Sequence, residues 1–146
     1  MAWASSNAGV KAMRLVLANG VFDLLHIAHI RHLEEARCMG DYLVVSLTMD
    51  KYVGKEGRPV ILEMERKEML ESLRCVSAVT LCKDSLEALE HWKPTIFCKG
   101  FDRQKTGLLE SEIRYCAANG IEIRHTRENK LHTSDIIERI RQCEFA

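Results

Sequence analysis

Short apolar runs alternate with longer amphipathic stretches along most of this sequence, and that alternation restricts the fold more than any other feature. Leu15-Val16-Leu17-Ala18 reads as a buried strand closed by Asn19-Gly20. Ile27, Ile30, Leu33 and Ala36 then recur every three residues, the spacing of one helical face, and Gly40 is placed to cap that helix at its C-terminus. β-rich runs return at Tyr42–Leu47, Val76–Leu81, Thr95–Cys98 and Ile121–Ile123. Between them lie Pro59 in a loop and helical patterns over Met64–Leu73, from Asp84-Ser85 through Trp92, and over Leu108–Ala118. A last helix, capped by Ser134-Asp135, runs to Gln142. Strands of about five residues separated by helices of about a dozen imply right-handed βαβ units and a parallel sheet.

The predicted fold is therefore α/β: a single-domain, Rossmann-like, doubly wound five-stranded parallel sheet with helices on both faces. A length of 146 residues suits one such domain over 12–146, preceded by a flexible polar arm at 1–11. Lys plus Arg and Asp plus Glu both total 21, so net charge gives no reason to expect nucleic acid or a membrane as partner. Met1 to Lys11 has no apolar core of a signal peptide, and no run is long enough to span a bilayer. The six cysteines form no CxxC pair, and several sit inside apolar runs where a thiol behaves as a small hydrophobe. A disulfide framework and a structural zinc site are not expected, and a reducing cytoplasm fits best.

Open α/β sheets bind ligands outside the carboxyl ends of their strands. The segment Ala18 to His29 joins the first strand to the first helix there. Gly20 permits a turn with close backbone approach, and a helix beginning near His26 offers unpaired N–H groups to an anion. His26 and His29, three apart, share one face of its first turn, where each can donate an N–H to a phosphoryl oxygen. Two such histidines alone serve structural or surface roles just as readily.

The wider pattern is more specific. Asn19-Gly20-Val21-Phe22-Asp23 followed by His26-Ile27-Ala28-His29 resembles the (T/N)GxFDxxHxGH signature of the cytidylyltransferase-like (HxGH) nucleotidyltransferase superfamily. The likeness runs from Leu15 to Ile140 and extends to the adenylyltransferase half of ADP-heptose synthase and to glycerol-3-phosphate cytidylyltransferase. Ala36-Arg37 with Gly40-Asp41, then Asp50, then Glu65-Arg66 follow in the expected order. Lys99-Gly100-Phe101-Asp102 resembles the KGGDY of the heptose enzymes, and Arg127 through Thr133-Ser134 resembles RxxGxSTT. A dinucleotide-binding or flavodoxin-like domain fits less well, because no GxGxxG follows the first strand.

The resemblance implies an enzyme that transfers an NMP unit from an NTP to a phosphorylated acceptor and releases pyrophosphate. It assigns catalysis to His26, His29 and Lys55. Asn19, Gly20, Val21, Phe22, Ala28, Lys99, Gly100, Asp102, Arg127, Thr133 and Ser134 would bind the nucleotide. Asp23, Arg66 and Arg74 would serve the acceptor. Mg²⁺ would accompany the NTP with no protein-built metal site, and a homodimer is expected. His32 falls at the edge of this site, whereas His91, His125 and Trp92 read as packing or surface residues. Two departures stand out: Ala28 replaces the glycine of HxGH, and Asn129-Lys130-Leu131-His132 replaces small residues and a serine. Lys99-Gly100, Arg58-Pro59-Val60 and Asn119-Gly120 resemble the heptose enzymes, which implies ATP and a sugar 1-phosphate. Met39–Leu43 and Met69–Arg74 look closer to the enzymes that use CTP and an alcohol phosphate. A nucleotide-binding protein without turnover is the alternative from another class.

Overall fold

The computed structural model describes residues 12–101, 107–127 and 131–144. Five parallel strands, β1 (Leu15–Gly20), β2 (Tyr42–Thr48), β3 (Ala78–Cys82), β4 (Ile96–Lys99) and β5 (Glu122–His125), form one sheet in the order β3-β2-β1-β4-β5. Helices α1 (Ile27–Arg37), α2 (Glu63–Glu71), α3 (Ser85–Trp92), α4 (Glu110–Asn119) and α5 (Thr133–Glu144) follow the strands in turn. The chain builds outward from β1 to β3, then returns to lay β4 on the other side of β1. That reversal opens a crevice at the carboxyl ends of β1 and β4.

Successive strand residues point to opposite faces, and both faces are covered. Val16, Ala18, Leu43, Val45 and Leu47 pack with Leu33 and Ala36 of α1 and Leu70 of α2. Leu17, Val44 and Phe97 pack on the other face with Ala88 and Leu89 of α3 and Cys116 of α4. Double coverage is why these strands read as continuous apolar runs rather than alternating ones. All six cysteines are free thiols. Among the described residues no helix is long and apolar enough to cross a membrane.

The sequence expectations need correction at several boundaries. β1 continues through Asn19-Gly20 and β4 reaches Lys99, because the ladder extends to Asn19↔Ser46, Gly20↔Leu47 and Lys99↔His125 irrespective of side-chain polarity. α5 starts one residue before Ser134; His132 precedes it and donates its N–H to Asp135 Oδ2 at 2.9 Å, so Ser134 lies inside the first turn instead of capping it. The proposed flexible arm at 1–11 lies outside the described residues.

Gly40 is not a left-handed helix cap. Helix α1 ends at Cys38 in ordinary right-handed geometry. A Cβ on Gly40 would lie 2.7 Å from the Arg14 carbonyl oxygen and 2.8 Å from Val16 Cγ2. Glycine is needed because the α1–β2 connection crosses the start of β1 at contact distance. Gly40→Ala is therefore expected to lower stability by about 1–3 kcal/mol, the usual cost of overpacking, measurable as a lower urea midpoint.

Candidate active site

A cleft of about 1650 Å³ runs along the carboxyl ends of the sheet. It is lined by Asn19 and Gly20 from β1, Thr48 from β2, Lys83 after β3, Lys99 and Gly100 at the end of β4, and Thr126 and Arg127 after β5. His26, His29, His32 and His132 line it as well.

The turn after β1 is shaped by one ring. Phe22 adopts a positive φ of 51°, a region that bulky side chains rarely occupy, and its ring is buried. A Cβ on Gly20 would lie 2.9 Å from Phe22 Cε2, so the glycine makes room for that ring. The same ring meets His29 edge-on, with centroids 5.3 Å apart. Asn19 is anchored downward: its Nδ2 donates to the Ser46 carbonyl at 3.1 Å, to Ser46 Oγ at 2.8 Å and to Cys82 Sγ at 3.3 Å.

Helix α1 begins with a reciprocal cap made by the two histidines. His26 Nδ1 accepts the Ala28 N–H at 3.1 Å, and His29 Nδ1 accepts the His26 N–H at 3.2 Å. The rings stack with centroids 3.8 Å apart and planes 22° from parallel. Because each Nδ1 accepts, each neutral ring carries its proton on Nε2. His26 Nε2 is buried and has no hydrogen-bond partner among the described residues. A desolvated donor without an acceptor costs roughly 1–3 kcal/mol, which a phosphoryl oxygen would offset. The cap takes the Ala28 N–H at the start of α1, an end that favours an anion.

Burial, reinforced by His26 and His32, pushes His29 from the ordinary value of 6.5 down to about 4, against smaller opposing pulls from a hydrogen bond to the Leu24 backbone and from Asp23. His26 is also lowered, first by burial and then by His132 across the cleft, against a smaller opposing pull from Asp135. Both shifts favour the neutral ring at pH 7. The unfolded chain takes up a proton below pH 6.5 that folded His29 refuses until about pH 4. The stability linked to this ring is intact above that window and drains away as pH falls through it. The melting temperature should therefore drop more steeply between pH 7 and 5 in the native chain than in His29→Asn, and equal slopes would count against this ring.

Three residues assigned to the acceptor by resemblance have other work. Asp23 is buried, and its carboxylate accepts the Val60 N–H at 2.7 Å and the Ile61 N–H at 3.1 Å. Its carbonyl accepts from Arg58 Nη1, so Asp23 fastens the β2–α2 connection to the turn after β1. Arg66 is 1% exposed. Its Nε donates to the Ile61 carbonyl at 2.8 Å, and its Nη1 to the carbonyls of Val21 at 2.8 Å and Thr48 at 3.1 Å. Nη2 pairs with Asp50 Oδ1. A guanidinium so engaged is an internal pin and does not reach a substrate. Arg74 is exposed and precedes β3, which puts it at the amino-end rim, away from the cleft.

The remaining described candidates fall on the cleft. Lys55 is exposed at its rim in a connection where Gly54 and Gly57 adopt positive φ. Val21 lines the turn, and Ala28 is buried one residue before His29. Lys99 lies buried on the cleft floor, its Nζ 3.4 Å from Glu112 Oε1. Glu112 also accepts from Ser85 Oγ, and from the Leu109 N–H at 3.3 Å. Arg127 sits at the mouth, with its backbone N–H held by the Glu35 carboxylate at 3.1 Å and its Nε 3.5 Å from Glu35. Thr133 Oγ1 donates to the Leu24 carbonyl at 3.4 Å, bringing the start of α5 to the histidine turn, with Ser134 beside it on the lining. His32 Nδ1 lies 2.7 Å from Thr126 Oγ1. His91 is exposed, Trp92 donates to Thr80 Oγ1 at 3.1 Å, and His125 is half-buried on β5. Asp102 and Lys130 lie outside the described residues. Sequence reading missed Arg58, Ser85, Glu112 and Glu35, whose partners lie between 13 and 92 positions away and leave no local spacing to notice.

The cytidylyltransferase-like family profile matches residues 17–139. The chain belongs to the cytidylyltransferase-like family. Within that family it is 36% identical over 135 residues to the bifunctional protein HldE of Pelobacter propionicus, covering 89% of this chain and 28% of that protein. The chain thus spans little more than a quarter of the HldE proteins it resembles. It is 35% identical to the FAD synthase of Ferroglobus placidus, covering 88% of both chains. Among solved structures, a lipopolysaccharide core biosynthesis protein from Thermoplasma volcanium superposes with a TM-score of 0.70 at 28% identity, covering 82% of this chain and all of that one. These likenesses place the chain in a nucleotidyltransferase-like family.

Proposed function

We propose that this chain transfers AMP from ATP to a sugar 1-phosphate and releases pyrophosphate. One observation carries the reading: the buried Nε2–H of His26, without a hydrogen-bond partner among the described residues, at a helix N-terminus beside the ring of His29. Such a donor set suits charge that grows on phosphoryl oxygens. The acceptor phosphate is already ionised at neutral pH, so the site needs no strong general base. One of its oxygens attacks the α-phosphorus in line; the new P–O bond forms as the bond to the bridging α–β oxygen breaks, and pyrophosphate leaves with that electron pair. His26 and His29 donate to the non-bridging oxygens, the turn at Gly20–Phe22 holds the α-phosphate, and Lys55 with the start of α5 meets the departing phosphates. Mg²⁺ travels with the triphosphate. Among the described residues no group of three or more His, Cys, Asp or Glu converges to hold a metal of its own.

A second reading has its own support. The FAD synthase likeness spans 88% of that protein, against 28% of HldE, which favours flavin mononucleotide as an acceptor for the same AMP transfer. The test is pyrophosphate release from ATP and from CTP with Mg²⁺, against sugar 1-phosphates, flavin mononucleotide and glycerol 3-phosphate. ATP with a sugar 1-phosphate is the expected pair. Nucleotides that raise the melting temperature without turnover on any acceptor would instead indicate a binding protein.

A further inference from the structure

We infer that Arg58 is the residue that grips the phosphate of the acceptor, with Asp23 as its positioning residue. Arg58 lines the cleft with its side chain 16% exposed. Only Nη1 is committed: it donates to the Asp23 carbonyl and lies 3.8 Å from Asp23 Oδ2. The Asp23 carboxylate is itself held by the Val60 and Ile61 N–H groups, which fixes the anchor before any ligand arrives. Nε and Nη2 have no partner among the described residues. Those two nitrogens form the side edge of the guanidinium, the fork that matches two oxygens of a phosphate monoester.

Topology gives this fork its ligand. Arg58 belongs to the connection after β2, whereas the end of β4 approaches the cleft from the opposite side of β1. The α5 start reaches the histidine turn through Thr133 and Leu24. An in-line displacement sets the entering oxygen opposite the leaving pyrophosphate. With the triphosphate on the histidines, the fork of Arg58, held on the Asp23 carbonyl of the same turn, places a second phosphate beside it from the β2 side. Lys55, on the same connection, is exposed at the cleft rim, whereas Arg58 is anchored and supplies geometry.

The assignment of that phosphate to the acceptor rests on the nucleotidyltransferase reading, and the test separates the two. Inorganic phosphate is titrated into the protein saturated with Mg²⁺ and α,β-methylene-ATP, which fills the nucleotide side and cannot react. The readouts are the phosphate-dependent rise in melting temperature and the affinity for the nucleotide analogue. Arg58→Gln should weaken phosphate about tenfold or more, as for loss of a charge-assisted fork, with nucleotide affinity little changed. Arg58→Lys should recover only part, since it restores charge without the fork. Unchanged phosphate binding in Arg58→Gln, or a parallel loss of nucleotide affinity, overturns the assignment. If no nucleotide stabilises the native protein, the functional reading fails by itself. The phosphate titration of the nucleotide-free protein then still decides whether Arg58 holds an anion.

Discussion

Replacing His26 with asparagine should lower turnover about a hundredfold or more while leaving the melting temperature near that of the native chain. Asparagine keeps an oxygen where Nδ1 stood, so the Ala28 N–H retains its cap, but nothing takes the place of Nε2–H. Alanine is the less informative variant, because loss of the cap alone costs about 1 kcal/mol and mixes folding with chemistry. His29→Asn should behave alike, with a smaller dependence of stability on acid. Single-turnover pyrophosphate release, compared with urea midpoints, separates the effects. Full turnover in His26→Asn would remove the buried donor from the mechanism.

Arg66→Met should cost about 3–5 kcal/mol of stability, the scale for breaking a buried ion pair from one side. Methionine has comparable reach and no donors. It would strand the Asp50 carboxylate and the carbonyls of Val21, Thr48 and Ile61, which lie on three separate segments around the cleft. Because Val21 belongs to the turn proposed to hold the α-phosphate, nucleotide affinity should fall together with the urea midpoint. A loss below about 1 kcal/mol would show that these carbonyls find water instead. Arg66 and Arg58 thus part company: the first is spent inside the protein, the second keeps one edge open to the cleft.

Both arginines show where linear reading runs out. The resemblance placed Arg66 and Arg74 at the acceptor, yet one is sealed beneath the turn and the other lies on the wrong rim. In a parallel sheet every residue just before a strand sits opposite the residues just after one, so Arg74 was excluded by strand direction alone. Gly40 misled for a related reason. A glycine after a helix looks like a cap, and here it clears a crossing with Arg14 and Val16 that only the folded chain brings about.

The order of strands and helices, the two apolar faces of the sheet and the position of the glycine–histidine turn follow from periodicity and local spacing, and these the sequence determined by itself. Local rules suffice there because strand alternation, helical pitch and the first helical turn involve neighbours a few residues apart. Tertiary structure alone decided that His26 Nε2 is buried without a partner among the described residues, which carboxylates are already satisfied, and which arginine retains an open edge. Those choices depend on hydrogen-bond partners far away along the chain, and a donor's remaining capacity is defined only once every partner is in place.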